Sequence, residues 1–296
     1  GLAERLRTVG VPESHPLDVA WVTCMAGHEL HRFRYPSPNN ARALYRSAND
    51  GRQPLEPPMR VSQVMIEPVL KKAVLAEPLI ASHWGASVVA VAQDQSGVTV
   101  TVDDDTTGRS RQIRGQFLVG CDGGGSAVRR CLGIAVEGKH AVANRFMIHF
   151  RSKAKHLLQR FGIAWHYQSP LGTLIAQDDD AIYTLHARFP DGTDTASVDP
   201  LPTLFEAIGA EIEAEVLVAN PWTPHLLVAE RYSQGRVFLA GDAAHQYIPT
   251  GGYGMNTGIG DAVDIAWKLA AVLQGWAGPA MLGSYDAERR PVGLIN

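Results

Sequence analysis

Residues 241–260 combine the side chains and the backbone freedom that a site for a flat, polar ligand requires. Residues 236–240, apolar after Arg236, predict a buried strand that ends at this segment, and a helix is predicted to begin near Met255. Glycines at 251, 252 and 254 carry no Cβ, so the backbone can approach a ring closely. The first N–H groups of a helix are unpaired and partly positive, and Asp242 can accept hydrogen bonds from sugar-type hydroxyls. The segment therefore predicts a site for an electron-rich ring with a hydroxylated chain.

A reduced isoalloxazine ring with its ribityl chain has this chemistry. His245 lies beside the same loop, where a structural hydrogen bond is favoured over a role as general base. Residues 121–130, Cys-Asp-Gly-Gly-Gly-Ser-Ala-Val-Arg-Arg, follow a second short apolar run at 117–120. A third segment, Arg60-Val61-Ser62-Gln63, opens a predicted helix and is followed by Glu67.

These three segments, in this order, resemble the p-hydroxybenzoate hydroxylase family of FAD-dependent aromatic monooxygenases, in its phenol, hydroxyphenylpropionate and polyketide hydroxylase branch. Gly241-Asp242 with residues 249–256 is similar to the family's second flavin fingerprint, and residues 121–130 resemble its Asp-Gly motif. The resemblance implies cofactor binding by Arg60, Gln63, Asp122, Asp242, Pro249, Gly252, Gly254, Met255 and Asn256. It implies that Arg129 contacts NAD(P)H and that Pro249 and Gly252 lie where oxygen is transferred.

The activity implied by the resemblance is hydroxylation of a phenolic or polyaromatic small molecule. FAD is reduced by NAD(P)H, molecular oxygen adds to give a flavin C4a-hydroperoxide, and oxygen passes to the ring. The aromatic residues Trp165, Tyr167 and Tyr183 are candidates for the substrate floor or for the core of a sheet. Two alternatives stay open: an inactive fragment of such a flavoprotein, or a related flavin epoxidase or halogenase.

The sequence departs from the family pattern at one point, because no G-x-G-x-x-G follows a predicted strand. We therefore expect a chain without the N-terminal phosphate-binding unit. The fold class expected is α/β: a partial, discontinuous, doubly wound FAD-binding domain with an inserted antiparallel β-sheet domain for substrate. The resemblance assigns residues 19–59 and 141–229 to the substrate domain, and residues 1–18, 60–140 and 230–296 to the FAD-binding domain.

Hydrophobic periodicity predicts most of these elements directly. Period-two alternation predicts a hairpin within 18–36, a three-stranded meander within 88–114 and a further sheet within 145–188. Residues 42–58 are predicted to form a surface loop, and Pro68 is predicted to kink the helix that Ser62 caps. A long helix after residue 255 carries one apolar stripe, expected to face the core, formed by Ile259, Val263, Ala266, Ala270 and Leu273.

Composition excludes several other classes of protein. The formal net charge is −3 over 296 residues without a long basic block, which argues against a nucleic-acid partner. No apolar run reaches membrane-spanning length, so no membrane partner is expected, and three unpaired cysteines suggest a reducing, cytoplasmic location. His28 and His31 lack a third ligand, so no metal site is expected. The expected partners are a small aromatic substrate and oxygen, and a homodimer stays open.

Overall fold

The computed structural model describes residues 1–190 and 192–296. Its α-helices are α1 (Leu2–Val9), α2 (Pro38–Ala48), α3 (Gln63–Leu75), α4 (Ala127–Cys131), α5 (Lys155–Leu158), α6 (Pro200–Ile208), α7 (Tyr253–Leu273) and α8 (Gly283–Ile295). Its strands are β1 (Val19–Val22), β2 (Glu29–Phe33), β3 (Ala86–Gln93), β4 (Val98–Asp104), β5 (Ser110–Gly115), β6 (Leu118–Gly120), β7 (Val136–Lys139), β8 (Asn144–Arg151), β9 (His166–Ser169), β10 (Gly172–Ala176), β11 (Ile182–Phe189), β12 (Glu215–Trp222), β13 (Leu226–Ala229), β14 (Ser233–Gln234), β15 (Val237–Leu239) and β16 (His245–Gln246). No helix in the described part of the chain combines the length and the apolar character needed to cross a membrane.

The chain forms two compact units, each built from two separate segments. The first contains Gly1–Ser82 and Ala143–Thr223, and the second contains His83–Val142 and Pro224–Asn296. Helix α3, which the resemblance assigned to the FAD-binding part, therefore groups with the large sheet. The domain boundaries given above stay a prediction.

The first unit is organised around a seven-stranded sheet in the order β12-β8-β11-β10-β9-β1-β2. All neighbours are antiparallel except β1 and β9, which run parallel. One face is apolar because alternate residues point to it, and cross-strand partners such as Phe150 and Tyr183 pack there. Helix α6 covers this face with Leu204 and Ile208. The predicted hairpin within 18–36 is confirmed as β1 and β2.

The second unit contains three small sheets. Strands β15 and β6 are parallel and adjacent, and β14 flanks β15. The predicted meander is confirmed as β3-β4-β5, and β16-β13-β7 forms the third sheet. The core of the unit packs Phe238 and Leu239 of β15 against Tyr285 of α8 and Ile265 of α7. The two short apolar runs of the sequence are thus strands that place their carboxyl ends side by side.

The prediction for the buried face of α7 is wrong. The structure buries Asp261 and Lys268 completely, whereas Ile259, Val263 and Leu273 are 50%, 64% and 51% exposed. Burial of these charges is stabilised by ion pairs, because Lys268 Nζ lies 2.8 Å from carboxylate oxygens of both Asp264 and Glu288. Partners on α7 and α8 therefore compensate the charge of Lys268 on the inward face of α7.

Two local predictions are also corrected. Residues 42–58 are not wholly a loop, since α2 begins at Pro38 behind a capping Ser37 and continues to Ala48. Helix α3 runs without a break through Pro68, and Ser62 occupies its N-cap position without a side-chain capping bond. Pro68 is the sixth residue of α3 and lacks the N–H that would bond to Val64 O, so one helical hydrogen bond is lost there while the helix continues.

Candidate functional site

Strand β15 leads directly into the first candidate site residues of the second unit. It is wholly buried, and after it the chain turns at Gly241, whose φ of +61° is a left-handed conformation that favours glycine. A Cβ built on Gly258 of α7 would lie only 3.2 Å from Gly241 Cα. Two glycines therefore allow helix and loop to touch through their backbones, and Asp242 follows as an exposed carboxylate.

The loop that leads into α7 has the backbone geometry expected for a flat ligand. A single 3₁₀ turn, Pro249–Gly251, is followed by Gly252 with φ +67°, which is the N-cap of α7. No described side chain caps this helix, so its first N–H groups stay available. An ideal Cβ on Gly252 or Gly254 would have no atom of the described residues within 4 Å.

These features fit the isoalloxazine and ribityl parts of a flavin. Open space over two glycines accommodates a ring, and the uncapped helix start supplies N–H donors and partial positive charge. Met255 and Asn256 are exposed in the first turn, and Asn256 Nδ2 donates to Gly252 O at 2.8 Å. Asp242 would accept hydroxyl hydrogen bonds, so the chain's own residues match the group that the sequence indicated.

The Asp-Gly segment at the end of β6 is held by local hydrogen bonds. Asp122 accepts from Ser126 Oγ at 2.5 Å and from the N–H of Val128 at 3.0 Å. Ser126 in turn caps α4 by accepting from the N–H of Arg129 at 2.9 Å. The side chain of Asp122 thus organises this turn, and its role in cofactor binding stays a prediction.

Arg129 is a buried residue, whereas a residue that contacts NAD(P)H would be expected at the surface. Its residue surface is 9% exposed, and its guanidinium donates to Ala243 O at 2.8 Å and to Gly124 O at 2.7 Å. Burial lowers the pKa of this guanidinium below its usual value. Arg129 therefore joins the Asp-Gly segment to residues 240–252 between β15 and α7, called the flavin loop below, and its contact with NAD(P)H stays a prediction.

A buried polar cluster beneath the flavin loop was not predicted from the sequence. His245 Nε2 lies 2.7 Å from Asp261 Oδ2, and the Gly241 N–H donates to the same oxygen at 3.0 Å. Arg289 Nε donates to Asp261 Oδ1 at 2.8 Å. Burial favours a raised pKa for Asp261, but these hydrogen bonds outweigh it and lower the pKa below its usual range. His245 therefore makes the structural hydrogen bond that the sequence favoured over a role as general base.

In the first unit, Arg60 forms a buried ion pair. Its Nη2 lies 2.7 Å from Asp179 Oδ1 and donates to Ala176 O at 2.5 Å, while His15 Nδ1 lies 3.0 Å from Asp179 Oδ2. The buried Nε and Nη1 of Arg60 have no hydrogen-bond partner among the described residues. Gln63 is exposed and donates to Glu67 Oε1 at 2.9 Å. Cofactor contacts by Arg60 and Gln63 stay predictions.

The predicted substrate aromatics divide between two environments. Tyr167 and Tyr183 are 1% and 0% exposed and pack in the apolar core, one of the two environments expected for them, and their substrate contact stays a prediction. Alternation along β9 and β11 directs them to the face that α6 covers. Trp165 is half-buried beside His166, with ring centroids 4.7 Å apart, and its substrate role stays a prediction.

The opposite face of the seven-stranded sheet carries polar side chains that sequence reasoning missed. Burial lowers the pKa of His149, His166 and His186, that of His166 to about 4, so these imidazoles are neutral near neutral pH. His149 Nδ1 lies 2.8 Å from Thr184 Oγ1, and His186 stacks edge-on against Trp222 at 5.4 Å. The buried His186 Nδ1 and Trp222 Nε1 have no hydrogen-bond partner within the described ranges. The period-two alternation of these polar side chains with apolar residues along their strands was the sequence signal that could have revealed this face.

Among the described residues, no group of three or more His, Cys, Asp and Glu could hold a metal ion. The fold and the loop define a flavin-binding α/β protein with an antiparallel sheet. A family model described as FAD binding domain matches residues 1–294, and the chain belongs to this family.

Curated relatives match the chain in sequence, and solved structures match it in fold. The chain is 38% identical to the FAD-dependent monooxygenase apdD of Emericella nidulans, covering all of this chain and 50% of that protein. It is 35% identical to the 4-methyl-5-nitrocatechol 5-monooxygenase of a Burkholderia species, covering 83% and 48%. The flavin-dependent monooxygenase PieE, solved with FAD and substrate, matches with a TM-score of 0.89 and 28% identity over 100% of this chain and 52% of PieE. Aklavinone-11 hydroxylase, solved with FAD and aklavinone, matches with a TM-score of 0.85 and 27% identity over 99% and 56%. The chain spans about half the length of these relatives.

Proposed function

We propose that the protein is an FAD-dependent, NAD(P)H-consuming monooxygenase that hydroxylates a phenolic or polyaromatic small molecule. The observation that carries this proposal is the uncapped start of α7 at Gly252 and Gly254, together with the Asp242 carboxylate shortly after β15. Relatives named 4-methyl-5-nitrocatechol 5-monooxygenase and putative polyketide hydroxylase support the reaction class. When bound, FAD supplies the redox chemistry, which includes hydride acceptance and oxygen activation.

The residues of the loop would bind and orient the cofactor. Asp242 accepts hydrogen bonds from ribityl hydroxyls, and the N–H groups at the start of α7 stabilise negative charge on the ring. Pro249 restricts the backbone before the glycines, and Gly252 and Gly254 leave the ring face free of side chains. In this proposal, Pro249 and Gly252 border the place where oxygen is transferred.

The polar face of the sheet is the proposed source of substrate contacts. Neutral His149, His166 and His186 can each donate and accept, which suits phenolic hydroxyls and ring carbonyls. The unpartnered, buried Nδ1 of His186 and Nε1 of Trp222 are further groups that a polar substrate would satisfy. This face replaces Tyr167 and Tyr183 in our proposal, and Trp165 is retained.

The remaining parts of the proposal concern the reductant, oxygen and location. NADH or NADPH is proposed as the electron donor and molecular oxygen as the second substrate. The free cysteines Cys24, Cys121 and Cys131 support a reducing compartment, and we propose the cytoplasm.

The test uses the complete gene product, purified and examined for flavin absorbance. NADH and NADPH oxidation is then followed with a panel of phenols, catechols and polycyclic phenolic compounds, and products are identified by mass spectrometry. The proposal expects bound FAD and a hydroxylated product from at least one aromatic compound. Absence of flavin after FAD addition, or flavin reduction that never yields hydroxylated product with any class of phenol, would contradict it.

A further inference from the structure

We propose that Asp261 is a positioning residue for the flavin loop: its buried carboxylate fixes the turn at Gly241 and thereby the carboxylate of Asp242. The inference rests on the proposed function, because it assumes that Asp242 faces ribityl hydroxyls. Asp261 contacts no ligand itself in this proposal. It acts through the backbone of the residue that precedes Asp242.

The first step of the argument is the number of donors that converge on one carboxylate. Oδ2 of Asp261 accepts from the Gly241 N–H at 3.0 Å and lies 2.7 Å from His245 Nε2, while Oδ1 accepts from Arg289 Nε at 2.8 Å. These donors come from the loop after β15, from β16 and from α8. Both carboxylate oxygens are needed to accept from all of these donors, and an amide of the same shape could not do so because it has only one acceptor atom.

The second step is the charge of the cluster. Asp261 is fully buried, yet its pKa is lowered by hydrogen bonds from His245, Arg289 and the Gly241 N–H. The carboxylate is therefore ionised and only accepts, so the proton shared with His245 belongs to Nε2. His245 Nδ1 is buried without a hydrogen-bond partner among the described residues, so the side-chain hydrogen bond of this imidazole is the one to Asp261.

The third step links the carboxylate to the loop conformation. Gly241 has a positive φ and lies against Gly258 backbone to backbone, with an ideal Gly258 Cβ only 3.2 Å from Gly241 Cα. Between glycines, no side chains can interlock, so hydrogen bonds fix the turn: the Ala244 N–H donates to Gly241 O at 2.8 Å, and the Gly241 N–H donates to Asp261. The second of these bonds comes from Asp261, and Asp242 is the next residue along the chain after Gly241.

The same helix offers a matched control in Lys268. This side chain is also fully buried and charged, and it pairs with Asp264 and Glu288, on α7 and α8 rather than on the loop. Lys268→Met therefore removes a buried charge from α7 without touching Gly241. Asp261→Asn keeps the size of the side chain and removes one acceptor oxygen.

The experiment measures the FAD dissociation constant of the complete gene product for the wild type, Asp261→Asn, Lys268→Met, Asp242→Ala and the double variant Asp242→Ala with Asp261→Asn. We expect Asp261→Asn to weaken FAD binding about tenfold, the equivalent of one hydrogen bond to a charged group. Lys268→Met should lower the melting temperature while leaving the dissociation constant within about twofold. In the Asp242→Ala background, Asp261→Asn should add less than about twofold, because Asp261 acts through Asp242.

Two results would overturn the inference: an FAD dissociation constant in Asp261→Asn that matches the Lys268→Met control, or a full tenfold loss in the Asp242→Ala background. A readout without flavin separates this inference from the proposed function. Amide hydrogen exchange of residues 240–246 should be faster in Asp261→Asn than in Lys268→Met even if the wild type binds no FAD. Equal exchange in both variants would refute the positioning role, whereas a failure of the wild type to bind FAD would refute the proposed function.

Discussion

The buried ion pair between Arg60 and Asp179 allows a quantitative prediction for the first unit. The two side chains are 4% and 1% exposed, and Arg60 Nη2 lies 2.7 Å from Asp179 Oδ1. Removing one partner of such a pair leaves the other charge buried without compensation, which costs about 3–5 kcal/mol. Asp179 has φ +57°, a conformation that asparagine also tolerates, so Asp179→Asn removes the charge without new backbone strain.

We expect Asp179→Asn to lower the free energy of unfolding by about 3 kcal/mol, near the lower end of that range because the amide oxygen still accepts from Arg60. Arg60→Met should cost a similar amount, although His15 stays as a partner of Asp179 at 3.0 Å. The double variant should cost less than the sum, because neither charge is then left unpaired.

Urea unfolding, followed by tryptophan fluorescence and by far-UV circular dichroism, measures these values. A change below about 0.5 kcal/mol for Asp179→Asn, or strict additivity in the double variant, would refute the reasoning from burial. The same variants test the predicted cofactor role of Arg60. If Arg60 contacts FAD through its free Nε and Nη1, Arg60→Met should weaken flavin binding more than Asp179→Asn does.

Three further predictions concern the loop, Arg129 and the sheet. Gly252→Val meets no neighbouring atom but forces a β-branched residue to φ +67°, so we expect a stability loss of about 1–3 kcal/mol and a larger loss of bound FAD, seen as flavin absorbance per protein; normal occupancy would contradict it. Arg129→Lys should lower stability by about 2 kcal/mol, through weaker bonds to the Gly124 and Ala243 carbonyls, without changing the Michaelis constant for NAD(P)H; a selective change in that constant would support the nucleotide role instead. Because the folded-state pKa of His166 is lowered to about 4 from 6.5, the unfolded state binds more protons between these values, so stability should fall as pH falls through this window. His166→Gln should reduce that pH dependence in urea unfolding, and an unchanged slope would contradict the assignment.

The sequence alone was sufficient to predict the strands and turns whose signals lie within a few neighbouring residues. The apolar run at 117–120 and the run at 236–240, apolar after Arg236, predicted β6 and β15, and period-two alternation predicted the β3-β4-β5 meander. The loop residues of the candidate site could be proposed from the sequence because glycine spacing and a helix start carry a local signal. These features depend on neighbours within a few residues.

What the sequence could not predict depends on partners far along the chain. Asp261 is buried because Arg289 on α8 donates to it, and a charged residue on a helix otherwise indicates a solvent-facing side. Tyr167 and Tyr183 alternate with histidines on the same sheet, and alternation alone does not tell which face α6 will cover. Arg129 was assigned to a nucleotide by resemblance, whereas its bond to Ala243 spans more than a hundred residues of sequence.

The most direct test of the proposed function is an isotope experiment on the complete gene product carrying FAD. The enzyme is supplied with NAD(P)H, ¹⁸O₂ and an aromatic substrate found by screening, and the product is analysed by mass spectrometry. We predict a hydroxylated ring that contains one atom of ¹⁸O for each NAD(P)H consumed in coupled turnover. A product that takes its oxygen from water, or NAD(P)H consumption that yields hydrogen peroxide alone with every phenol, would contradict aromatic monooxygenation.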